Sequence, residues 1–192
     1  MESLAAAVLL AVTIWSWRMA RELRARSRVH LRFAAVMLAA PAAALPVPAP
    51  GLAFNVMLLA ASVACVALAL ASSFRQGAPS WLSAAALMAA FATGLIASLA
   101  AMPLLALGAI FGAAASILSA CPGRAKESPR AGIAAMLGAV SLILGGMAMM
   151  GGGLAEAALF FASALGLVAG ALKKPVIGAD ARVKLLVGGK HA

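Results

Sequence analysis

The sequence predicts an all-α, polytopic integral membrane bundle of about seven transmembrane helices, with the N-terminus outside and the C-terminus cytoplasmic. Three observations predict it. First, 65% of the 192 residues are hydrophobic and only 10% are charged, whereas soluble domains carry about 45–50% apolar and roughly 25% charged residues. A domain of this size must still cover itself with polar groups, so a core cannot absorb the excess and lipid must be the solvent. Second, lysine and arginine cut the chain into uncharged stretches whose lengths fit one or two crossings of about 20 residues each. Third, the basic residues alternate with the crossings, as set out below.

The first stretch, Ser3 to Trp17, is one short span (3–20) if Arg18 snorkels to the interface. Phe33 to Phe74 holds two spans (33–48 and 52–73), separated by "PVPAPG", whose prolines and glycine end helices. Gln76 to Gly123 holds two more (81–101 and 103–120), with Pro103 suited to open a helix. That turn is nearly apolar, so 101–103 could instead belong to a re-entrant segment. Ala131 to Leu172 supplies the last two (131–149 and 154–172), divided by the glycines of "MMGGG". Residues 1–172 thus form a transmembrane domain of one lone span and three helical hairpins. Residues 173–192 form a basic cytoplasmic tail.

On this map the loops after spans one, three, five and seven carry all 15 lysines and arginines. They are Arg18 to Arg32, Arg75, the group Arg124, Lys126 and Arg130, and Lys173 to Lys190. The opposite side carries only Glu2 and Glu156. Basic residues favour cytoplasmic loops, so the basic side is the cytoplasmic one; the location expected is a plasma (inner) membrane. The first span lacks the basic leader of a secretory signal and reads as an uncleaved anchor.

The net charge of +10 raises the question of nucleic acid, which the arrangement answers against. The run "RMARELRARSRVHLR" is tethered between two spans and has no aromatic residue for stacking. Read as one helix at about 100° per residue, Arg18, Arg21, Arg24, Arg28 and Arg32 form a single stripe facing anionic headgroups, each worth about 1 kcal/mol. The partners expected are the bilayer, its anionic headgroups, and a protein partner or second copy through small-residue faces.

Those faces are Gly108 and Gly112, followed by Ser116 and Ala120, and Gly166 with Gly170. Small residues four apart let helices approach closely, which serves packing within the bundle or, less simply, a homodimer. Gly138, Gly145 and Gly146 add to the sixth span. Pro41 removes a backbone donor inside the second span and is expected to kink it.

Chemistry is sparse. Glu156, about one turn into the seventh span, is the candidate intramembrane carboxylate. It fits equally the favourable place of an acid at a helix N-terminus; as a functional group it would be an outer-gate cation or proton ligand. His30 and His191 fall outside the spans, so no haem pair is expected. Cys65 and Cys121 lack metal-ligand spacing, and the methionines near the outer face read as filler rather than copper ligands. No hydrolase triad, zinc motif or phosphate loop occurs. No catalytic residue, cofactor or metal site is expected. The reading is a non-catalytic structural, assembly or regulatory bundle, the alternative being a small transporter or channel.

Overall fold

The structure, a computed structural model, describes residues 1–23, 25–73, 80–100 and 102–173, with backbone alone at 50, 80 and 127. Arg24, Arg75 and the expected tail beyond Lys173 lie outside the described residues. Seven α-helices occur among the described residues: α1 (Glu2–Met19), α2 (Ala25–Ala44), α3 (Pro50–Ser73), α4 (Ser80–Leu99), α5 (Pro103–Glu127), α6 (Pro129–Met150) and α7 (Leu154–Leu172). A 3-10 turn, Ala20–Glu22, follows α1. No strand occurs among the described residues. The protein is an all-α helical membrane bundle. Helices close their own backbone hydrogen bonds, which is what hydrocarbon demands.

Sequence chemistry sets most of the boundaries. Proline opens α3, α5 and α6, where its missing N–H costs nothing and its fixed φ suits the first turn. Ser128, the single residue between α5 and α6, is extended (φ −160°, ψ 123°), as the residue before a proline prefers. The glycine run after α6 forms a Schellman turn. Gly152 donates to the Met149 carbonyl at 3.2 Å and Gly153 to the Ala148 carbonyl at 3.0 Å. Gly152 takes φ +80°, which an L side chain resists.

Among the described residues six helices are long and apolar enough to cross a membrane; α2 is not among them. α2 falls short of that length and apolarity because of where it starts. It begins at Ala25 inside the basic run rather than at Phe33, and so carries Arg26, Arg28, His30 and Arg32. Its uncharged part, 33–44, is about 18 Å long at 1.5 Å per residue, short of the roughly 30 Å hydrocarbon layer. Pro41 lies inside α2 and the helix continues through it, Leu45 N–H closing on the Pro41 carbonyl at 2.9 Å. The basic run is likewise not one helix. α1 ends at Met19, and Leu23 is extended (ψ 163°) before α2 begins. The expected single arginine stripe is therefore split, with Arg18 and Arg21 on one side of the break and Arg28 and Arg32 on the other.

α3 is the most enclosed helix and α4 the least. α3 packs against α2, α4, α5 and α7, while α7 packs against α6, α1, α2 and α3. α2–α3 and α6–α7 are close hairpins. The third expected hairpin is splayed: α5 lies mainly on α3 and α6, and only lightly on α4. The centre is filled by alanine with leucine, isoleucine and a few larger side chains, among them Phe161, Leu38, Met57 and Ile110, all fully buried.

Glycine decides how closely α6 is approached. A Cβ at Gly145 would lie 2.9 Å from the Phe161 ring, and one at Gly138 would lie 2.8 Å from Val168 Cγ2. Both neighbours are on α7. A Cβ at Gly146 would press Leu107 and Ile110 of α5 at 3.1 and 3.3 Å. Gly145→Val is therefore expected to destabilise the bundle by about 1–3 kcal/mol, the usual cost of overpacking. Gly108→Val, whose Cβ meets nothing within 4 Å, should change stability little. Thermal unfolding of both variants in detergent checks the contrast.

Candidate functional site

One end of the bundle gathers most of its polar side chains. The ends of α1, α2, α3, α4, α5 and α7 meet there through a set of specific bonds. Ser27 of α2 donates to the Ala71 carbonyl at 3.2 Å, and Arg124 Nη2 of α5 donates to the Ser72 carbonyl at 3.4 Å. Both acceptors are carbonyls of the last turn of α3, which have no partner within their own helix. A cation there also meets the negative end of the helix dipole. Ser73 and Ser116 share a 2.9 Å bond between α3 and α5. Lys173 Nζ, just past α7, lies 3.1 Å from Glu22 Oε2 in the turn after α1.

His30 stands at the middle of this layer and is buried. Its Nδ1 lies 2.8 Å from the Arg26 carbonyl, and its Nε2 lies 3.0 Å from Ser83 Oγ on α4. The carbonyl can only accept, so Nδ1 carries the hydrogen; in the neutral ring Nε2 then accepts from the serine hydroxyl. The bond ties α4, the least enclosed helix, to α2.

Sequence reasoning placed His30 in a loop and missed this contact. The signal was present in the spacing. Ser27, His30, Ala34, Leu38 and Pro41 repeat at three to four residues, with Leu31 beside His30 on the same face, and from His30 onward each is buried. The buried face of α2 thus runs back through the charges at which the apolar stretch was cut.

Arg28 and Arg32, one turn apart on α2, turn towards the protein surface rather than out into water. Arg28 Nη2 donates to the Leu23 carbonyl at 3.0 Å. The Arg32 guanidinium lies 4.9 Å from the Trp17 ring centroid, within cation–π range. Arg18 and Arg21 are exposed.

At the opposite end Glu156 is exposed in the first turn of α7. Its carboxylate lies back over the glycine turn, since a Cβ on Gly153 would come within 2.7 Å of Oε2. That is the position from which an acid interacts with the free N–H groups of a helix start. His30 and Glu156 therefore sit at opposite ends and form no common site.

Thr13 and Ser16 of α1 are buried with no hydrogen-bond partner for their hydroxyls among the described residues, whereas several other span hydroxyls are bonded to their own helices. Ser62 donates to Leu58 (2.6 Å), Ser72 to Leu68, Thr93 to Ala89 and Ser163 to Leu159, each at a carbonyl four residues back. Such bonds use up the one donor of each group. No cluster of three or more histidine, cysteine or acidic residues that could hold a metal occurs among the described residues.

The expected glycine faces divide. Gly166 packs on α1, where a Cβ would meet Val12 at 3.5 Å and Trp15 at 4.0 Å. Gly170 is exposed with nothing within 4 Å of its Cβ position. Gly108 and Gly112 are also exposed and open, and with Ala115 and Ser119 they form an outward-facing row on α5. The interior-packing reading thus fits Gly166 and does not fit the α5 pair. Comparisons with protein-family models, with curated proteins and with solved structures find no match.

A double-mutant cycle tests the histidine contact. His30→Ala and Ser83→Ala are expected to be non-additive by about 0.5–1.5 kcal/mol in detergent unfolding, the range for polar pairs between membrane helices. Full additivity would mean the bond contributes nothing.

Proposed function

We propose that this chain is a non-catalytic, multi-pass subunit of a plasma (inner) membrane assembly, oriented N-terminus out, that works by presenting a helix face to another membrane helix. The observation that carries the reading is the row Gly108, Gly112, Ala115 and Ser119 on α5. It faces away from the bundle, and a Cβ at either glycine meets nothing. Small residues at this spacing permit backbone contact between helices, where packing and weak Cα–H···O contacts replace the hydrophobic drive that lipid removes.

Retention of a partner polypeptide or a second copy tests this. The wild-type protein, purified through a tag in mild detergent, should retain such a partner, and Gly112→Ile should lose it while the bundle itself stays folded. A wild-type protein isolated as a lone monomer would sink the reading. Glu156→Gln serves as the contrast: under this reading it leaves assembly and any cell phenotype unchanged. If it instead abolishes an ion flux at unchanged protein level, the transporter alternative replaces the subunit reading.

A further inference from the structure

We propose that Arg28, Arg32 and Trp17 form a binding site for the phosphate of an anionic phospholipid in the leaflet at the basic end. The inference concerns a different face from the α5 row and stands without it. The starting point is depth. Ser27 bonds to Ala71 near the end of α3, which fixes the register of α2 against a helix that spans the membrane. Arg32 is five residues further along, so it lies about 7–8 Å deeper at 1.5 Å per residue. An arginine at that depth is costly unless its charge is met.

Nothing in the described chain meets it fully. The Nε atoms of Arg28 and Arg32 are both buried and have no acceptor among the described residues. Neither guanidinium pairs with a carboxylate among those residues, and Glu22, the acid nearest in sequence, is engaged by Lys173. Freely solvated surface arginines would not bury these edges. Instead both guanidinium groups lie along the protein, half desolvated, with their terminal nitrogens as the remaining donors. Half-desolvated charge calls for a counter-charge, and an arginine side chain rooted at this depth snorkels back to the interface, where the bilayer supplies the lipid phosphate. Arg32 can offer both terminal nitrogens, and Arg28, whose Nη2 already donates to Leu23, can offer its Nη1 to the tetrahedral oxygens of that group. Trp17 adds the ring against which Arg32 is held, at the level where tryptophan settles in membranes.

The site differs from a general attraction of basic residues to the surface. Arg18 and Arg21 are exposed and carry the same charge, yet they are not built into it. Native mass spectrometry of the full chain, delipidated and then offered equimolar phosphatidylglycerol and phosphatidylcholine in detergent, separates the two. The wild type should retain phosphatidylglycerol in preference, and the Arg28→Gln/Arg32→Gln pair should weaken that retention about tenfold or more, as expected when charge-assisted hydrogen bonds to the phosphate are lost. Arg18→Gln/Arg21→Gln should keep most of it. Trp17→Leu, which leaves every charge in place, should weaken it by a few-fold, and guards against misfolding of the double arginine variant. Equal loss from both arginine pairs, equal retention of the two lipids, or displacement of the lipid by millimolar inorganic phosphate would each overturn the proposal.

Discussion

The cost of placing a guanidinium or ammonium group in hydrocarbon governs this molecule. Backbone polarity is dealt with by helix formation everywhere, so it does not distinguish one end of the bundle from the other. Side-chain charge does. The ends of α1, α5 and α7 and the start of α2 bring Arg18, Arg124, Lys173 and Arg28 to a common level. There Arg28 and Arg124 donate to carbonyls and Lys173 pairs with Glu22, and the opposite end is left with the carboxylates of Glu2 and Glu156. Once that separation is imposed, consecutive helices must alternate in direction, and short turns such as the Schellman turn at Gly152 become sufficient connections.

α2 is where the constraint is under most tension. It begins in the basic run, and its charges follow the helix inwards instead of remaining in a loop. The same displacement produces three consequences. It shortens the apolar length of α2 below that of its neighbours. It carries His30 into contact with Ser83, giving α4 a polar tie that its own light packing does not supply. It also lowers Arg32 to the level of Trp17, where an external anion becomes the natural counter-charge. One boundary, at Ala25 rather than Phe33, therefore links an architectural detail to the proposed lipid site.

Much of this was legible in the sequence, and the failures share a cause. The seven helices, the proline starts of α5 and the glycine turn before α7 follow from apolar length and from Pro103 and Gly151 to Gly153, because those signals act locally. Glu156 at a helix start was legible for the same reason. The start of α2 was not, because cutting the chain at charges treats charge as the end of a helix. In fact the helix ends where its buried periodicity ends, and that runs through Arg28 to Ser27. The destination of the glycines was also hidden. Gly108 and Gly112 have the same spacing as Gly166 and Gly170, and spacing alone cannot say whether a neighbour or lipid faces them. That depends on α5 leaning towards α3 and α6 and away from α4, a long-range choice with no local mark.

The central claim, that the charged end of the bundle is cytoplasmic and the glycine-turn end is external, is tested most directly by cysteine accessibility. Single cysteines at Gly152 and at Lys126, both exposed positions at opposite ends, would be treated with a membrane-impermeant maleimide in intact cells. Labelling at position 152 with protection at position 126 until the membrane is opened is the predicted result. Protection at 152, or ready labelling at 126, would contradict the account.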